Sequence, residues 1–249
     1  MQTQNTRELS VRVLHTVPVK NLRLLTFDLD GTLIDSRDDL AQSINAMLAH
    51  YGRPSLPADV IASYIGDGAP MLVRRALGDP DDEKLVHEAL EFFLAYYKIH
   101  KLDFTYVYAG VIDALAQLRD AWPHSPAPKM AVLTNKPVGA SRAICEALGL
   151  SPFFFQIYGG NSFHTKKPDP HGLQTLMKEA NATPTETLMI GDSDVDVLTA
   201  RNAGTWAMGC TFGLAPHTLE AAPPDILVDS PAEWPLALAA DRKRLNAVP

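Results

Sequence analysis

The stretch LLTFDLDGTLIDS, residues 24–36, decides the fold. It opens with the strand-forming residues Leu24, Leu25, Thr26 and Phe27, then reaches Asp28 and Asp30 ahead of a Gly31-Thr32 turn. Aspartate is a poor strand residue, and like charges held close together repel. Side chains alternate along a strand, so an extended chain would place both carboxylates on one face with Cα atoms about 6–7 Å apart. A divalent metal is the natural compensation for such a pair.

On its N-terminal side lies an extension, residues 1–21, in which SVRVLHTVPVK alternates weakly, as an edge strand or an unstructured tail would. Towards the C-terminus the pattern becomes helical. Leu40, Ile44, Met47, Leu48 and Tyr51 share one face of a helix that Gly52 ends. Shorter helical patterns follow at 58–65 and 69–77, then a long one with Leu85, Ala89, Phe92, Phe93 and Tyr96 on its apolar face. From about residue 106 the chain alternates helix with strand: KMAVLTN, FFFQIYGG, TLMIGD, TWAMGCTFG and DILVDS are the strand segments. Strands alternating with helices imply a parallel sheet covered on both faces. The expected architecture is α/β: a Rossmann-like parallel core, residues 22–36 and 106–249, with a small all-helical cap, residues 37–105, inserted after the first strand. Ligands of such sheets bind at the carboxyl ends of the strands, so the insertion is expected to act as a lid.

Composition narrows the function classes. The chain has 249 residues, 46% apolar and 20% charged, with a net charge of -7. That charge leaves no footprint for nucleic acid or an anionic membrane. No apolar run is long enough to span a bilayer, and the polar N-terminus lacks a signal core. Cys145 and Cys210 have neither CxxC nor metal-site spacing and read as small buried residues. The expectation is a cytoplasmic protein, monomer or homodimer, acting on a small molecule.

Polar residues collect at the strand ends: Asp28 and Asp30, then Thr134-Asn135, then Asp192, with Lys166 and Lys167 in the loop NSFHTKKPDP. Carboxylates there would hold a metal, and hydroxyl, amide and ammonium donors an anion. Mg2+ suits carboxylates that share it with water and phosphate oxygens. Asp192 and Asp196 are one helical turn apart, so both can face one ion if the helix begins near Ser193.

Together FDLDGTLIDS, LTN, KKPDP and GDSDVDVLTARNAG resemble the four motifs of the haloacid dehalogenase superfamily, over roughly residues 22–230. YIGDGAPMLVRRALG, TNKP and KKPDPHGL resemble its phosphoglycolate phosphatase branch. The resemblance implies a Mg2+-dependent phosphatase. Asp28 would be the nucleophile that becomes an aspartyl-phosphate. Asp30 would be the general acid and then base, with its backbone carbonyl on the metal. Thr134 would donate to the phosphoryl group beside Asn135, and Lys167, before Pro168, would neutralise charge. Asp192 and Asp196 would complete the metal site. Dehalogenases lack the second aspartate, since a halide leaves without a proton, so Asp30 favours a phosphatase. In the cap, Arg74 and Arg75 follow the GDG turn, and Arg75 is the expected contact for a substrate carboxylate, with 2-phosphoglycolate as the implied substrate. Val195 departs mildly from related phosphatases, which often carry a polar residue there.

Taken singly, each group has an ordinary explanation: Asp28 and Asp30 as a strand cap and turn, Asp192-Ser193 as a helix N-cap, Lys-Pro as a surface loop. The joint placement at successive strand ends carries the reading. The alternatives on the same core are a pyrophosphatase and a phosphosugar phosphatase or mutase. Outside catalysis stands a phosphate or metal sensor.

Overall fold

The computed structural model describes residues 11–124 and 126–239. Residues 1–10 of the expected extension and 240–249 of the expected core lie outside them. The strands are β1 (Arg12–Val13), β2 (Leu24–Phe27), β3 (Ile34–Asp35), β4 (Tyr106–Val107), β5 (Lys129–Leu133), β6 (Gln156–Tyr158), β7 (Thr187–Gly191), β8 (Trp206–Cys210) and β9 (Ile226–Val228). The helices up to the return from the insertion are α1 (Arg37–His50), α2 (Ala58–Ala62), α3 (Ala69–Ala76) and α4 (Glu83–His100). They are followed by α5 (Val111–Asp120), α6 (Val138–Ala147), α7 (His171–Ala180), α8 (Asp194–Ala203) and α9 (Glu233–Ala237).

Leu24, Leu25 and Phe27 are fully buried because β2 is the middle strand of a sheet clad on both sides. The strand order is β1-β9-β8-β7-β2-β5-β6, parallel throughout except for β1 against β9. Alternation along β2 divides its residues between two cores. Leu25 and Phe27 join Val132, Ile190, Leu115 and Trp234 on one face, whereas Leu24 joins Ala131, Met189, Leu173 and Ala200 on the other. The α/β core read from the sequence is therefore the observed one. At the other end of the chain order, β1 is an edge strand, and Val17 and Val19 are buried in the first of those cores. The expected boundary at residues 21 and 22 thus falls inside packed structure.

The buried residues of a third apolar cluster come from the insertion: Ile44, Met47 and Leu48 of α1, Leu72 and Val73 of α3, and Ala89, Phe93 and Tyr97 of α4, with Ala140 of α6 packed against them. On α4 the buried face is Val86, Ala89, Phe93 and Tyr97, rotated from the expected one. Phe92 and Tyr96 lie on the flank, where they stack on His50 and His100. Both flanks of α4 are apolar, so residue type alone does not choose the face; packing against α1 and α3 does. The rotation matters because it turns Tyr97 inward.

The two crossings between insertion and sheet are tied by the antiparallel pair β3–β4, with Ile34 opposite Val107. Beside it the buried Asp39 carboxylate accepts from the backbone N–H of Phe104 and of Thr105, at 2.9 and 2.8 Å, and from the Thr105 hydroxyl at 2.6 Å. Asp39→Ala leaves the buried N–H and hydroxyl of Thr105 and the part-buried N–H of Phe104 without this acceptor, and is expected to cost about 3 kcal/mol in a denaturant melt.

Candidate active site

The chain order reverses at β2, which pairs with β5 on one side and β7 on the other, and the crevice of such a sheet opens there at the carboxyl ends. Asp28 is the residue after β2, and its N–H still bonds Ile190 O at 2.8 Å. Thr134, Asn135 and Lys136 follow β5, and Asp192 follows β7. The loop after β6 brings Lys167.

Lys167 Nζ stands 2.7 Å from Asp28 Oδ1 and 2.6 Å from Asp196 Oδ1, and it is buried. Burial works against its charge, but the Asp196 and Asp28 carboxylates outweigh it and hold the ammonium above its ordinary range. Asp196 sits in the first turn of α8, where Oδ2 accepts from Ser193 N at 3.2 Å and Ser193 Oγ at 2.8 Å. Asp192 accepts from the backbone N–H of Leu214 and Ala215, at 2.7 and 3.0 Å, and from the Thr32 hydroxyl at 3.3 Å. Two glycines give it room. A Cβ on Gly31, at φ +85°, would lie 2.3 Å from Asp192 Oδ2, and one on Gly213 would lie 2.3 Å from Asp192 Cβ.

Asp28, Asp192 and Asp196 are all buried, and each offers an oxygen within 4.8 Å of the others. One ammonium among three buried carboxylates leaves negative charge uncompensated. Burial, opposed by Lys167 and assisted by Asp196, raises Asp28 to about 6. Burial and the Asp196 and Asp28 charges push Asp192 up to about 8, against its two backbone donors. Clustered carboxylate oxygens short of positive charge fit a hard divalent cation such as Mg2+.

A linkage follows. Unfolded aspartates release their protons near pH 3.8, whereas folded Asp28 and Asp192 keep them to about 6 and about 8. Between those limits the folded state binds more protons, so stability declines as pH rises. Deprotonation also favours metal binding. Thermal melts of the metal-free protein are expected to fall from pH 5 to pH 8.5, with the Mg2+-induced increase larger at pH 8.5. An increase that shrinks with rising pH would contradict this assignment.

The carboxylates 28 and 30 part company. β2 ends at Phe27, and the turn through Gly31 carries Asp30 away from the acidic cluster. Its side chain bonds Lys136 Nζ at 2.9 and 3.1 Å and Ser36 Oγ at 2.5 Å. The buried triad therefore contains Asp196 where the strand argument puts Asp30. Thr134 is buried, and its Oγ1 accepts from Lys136 N at 3.3 Å, which leaves its O–H free to donate. Asn135 directs its amide donors to Gly66 O at 2.9 Å and Lys167 O at 3.0 Å, joining the insertion to the lysine loop. Lys166 Nζ donates to the Asp67 carbonyl.

Arg75 does not reach the site. Its guanidinium pairs with Asp67 at 2.5 Å and donates to Tyr64 O at 3.3 Å, both within the insertion. The acidic residue of the GDG turn captures it. A cavity of about 380 Å3 lies between the strand ends and the insertion, and Arg75 is not among its lining residues. Asp28, Asp30, Thr134 and Lys136 line one end, and Leu72, Phe93, Leu94, Tyr97, Lys98 and Lys101 are on the insertion side. Sequence reasoning assigns no role to Lys136, although it is the third residue of TNKP at a strand end. It also misses Ser36 and the 214–215 loop, whose contacts depend on tertiary placement.

No helix among the described residues is long and apolar enough to cross a membrane. Residues 25–209 match the family model described as haloacid dehalogenase-like hydrolase. A phosphoglycolate phosphatase from Pseudomonas putida is 39% identical over 214 residues, 83% of this chain and 76% of that protein. One from Psychrobacter arcticus is 38% identical over 199 residues, 77% of this chain and 84% of the other. The crystal structure of a predicted phosphoglycolate phosphatase from Haemophilus somnus superposes with a TM-score of 0.78 at 29% identity, covering 86% of this chain and 96% of that one. With its four strand-end motifs gathered at one crevice, the chain belongs to the haloacid dehalogenase-like hydrolases.

Proposed function

We propose that the protein hydrolyses 2-phosphoglycolate to glycolate and phosphate, with Mg2+ and through an aspartyl-phosphate on Asp28. Its class, a phosphoric monoester hydrolase, follows from the family and from relatives named for that activity. The observation that carries the mechanism is the buried contact of Lys167 with Asp28, 2.7 Å, beside the acidic triad.

Asp28, Asp192 and Asp196, with the backbone carbonyl of Asp30, would hold the ion. Bound Mg2+ would screen the repulsion between the nucleophile and the phosphoryl oxygens. Asp28 attacks phosphorus, and Lys167 and Thr134 stabilise the charge on the transferring group. Asp30 gives its proton to the ester oxygen as the P–O bond breaks. It then takes a proton from the water that attacks the aspartyl-phosphate, freeing phosphate and restoring Asp28. With Arg75 paired to Asp67, the cationic side chains that line the cavity from the insertion, among the described residues, are Lys98 and Lys101.

The apolar side chains Leu72, Phe93 and Leu94 in the cavity favour a second reading, a bulkier small phosphate ester on the same machinery. Phosphate release from 2-phosphoglycolate, pyrophosphate, hexose phosphates and an aryl phosphate, with Mg2+ and with EDTA, separates the two. Preference for phosphoglycolate that EDTA abolishes supports the first; preference for the larger esters moves the substrate and keeps the chemistry. No Mg2+-dependent release from any of them, by folded protein, contradicts both.

A further inference from the structure

Lys136 is buried, and its ammonium stands between two domains of the molecule. On one side it meets Asp30, 2.9 Å from Oδ1 and 3.1 Å from Oδ2. On the other it lies 4.7 Å from the centre of the Tyr97 ring, on α4 of the insertion, in a cation–π contact. Its own backbone is fixed: the N–H donates to Thr134 Oγ1, and the carbonyl accepts from Gly160 N at 2.9 Å. The ammonium is thus anchored in the turn that presents Thr134.

We propose that Lys136 is the positioning residue for Asp30, fixing which carboxyl oxygen faces the leaving group. Oδ1 receives two donors, Lys136 and Ser36 Oγ at 2.5 Å, whereas Oδ2 receives Lys136 alone at the longer distance. With Oδ1 held by both donors, Oδ2 is the oxygen left to face the departing ester oxygen. A carboxyl group held by two donors from different segments keeps one rotamer, and a general acid is effective only when its proton is aimed at the departing oxygen. The Tyr97 ring covers the far side of the ammonium, so seating of the insertion completes the arrangement. No residue of this group belongs to the acidic triad. The inference rests on the reading of Asp30 as the acid.

The test compares kcat/KM for an alkyl phosphate and for p-nitrophenyl phosphate in the parent, Asp30→Asn, Lys136→Met and Ser36→Ala. This parameter reports steps up to phosphoryl transfer, and nitrophenolate departs without protonation. Asp30→Asn is expected to lose far more on the alkyl ester. Lys136→Met should show the same selectivity, with an additional loss on the alkyl ester on the order of tenfold to a hundredfold. Ser36→Ala should follow with a smaller effect. The ratio of the two esters in one sample is independent of how much of the protein is folded, so a merely structural role leaves it unchanged. If Lys136→Met loses both esters equally, or neither, while Asp30→Asn is selective, the positioning role is wrong. If Asp30→Asn is itself unselective, the acid assignment fails and the inference with it. Should Lys136→Met yield no soluble protein, an unchanged ratio in Ser36→Ala overturns the proposal and a shifted one supports it.

Discussion

Asp28→Asn is expected to abolish phosphate release while leaving the metal-free protein at least as stable as the parent. The first half follows from chemistry. An amide is no nucleophile towards phosphorus, and losing a nucleophile typically removes a factor on the order of 10^4 or more from kcat. The second half follows from electrostatics. Asp28 is buried beside Asp196 and is raised to about 6, so its charge is held in the fold at a cost near neutral pH. Asparagine removes that charge, and Lys167 keeps Asp196 at 2.6 Å. Phosphate assays and thermal melts in EDTA check both halves. A large loss of stability would show that the Lys167–Asp28 pair holds the fold together.

Lys167→Ala is expected to act on both properties in the same direction. It removes the donor proposed to stabilise charge on the phosphoryl group, and kcat/KM is expected to fall by about 10^2 to 10^3. It also leaves Asp28 and Asp196 without their ammonium partner in a buried site already short of positive charge. Breaking a buried ion pair from one side costs about 3–5 kcal/mol. The metal-free melt should therefore drop sharply, and Mg2+ should recover part of it. Two variants at the ends of one 2.7 Å contact thus have opposite signs on stability, since one removes a surplus charge and the other a scarce one. Equal destabilisation by both would refute this account of the charge balance.

How much of this was legible in the sequence depends on what fixes each feature. The parallel core was, because strand ends that stop on Asp, Thr-Asn and Asp lie in sequence where apolar runs end. Asp28, Thr134 and Asp192 follow their strands directly, so the topology alone brings them together. Asp30 was legible as a residue of the site but not in its contacts: the two-residue strand period fails once the turn through Gly31 begins. Arg75 illustrates the opposite limit. Its placement near a Gly-rich turn suggests a ligand, but the turn also carries Asp67, and an ion pair eight residues away satisfies it. Tyr97 and Lys136 became visible only through packing. Choosing between neighbouring faces of α4 requires knowing what lies opposite, and Lys136 gains meaning when Asp30, 106 residues distant, arrives at 2.9 Å.

The most direct test of the central claim is to quench turnover of 2-phosphoglycolate with Mg2+ in acid and map the phosphoryl group by peptide mass spectrometry. The account predicts an acid-stable phosphoryl adduct on the peptide bearing Asp28, formed within one turnover and absent in Asp28→Asn. Turnover with no adduct on Asp28, or with the phosphoryl group on another residue, would contradict it.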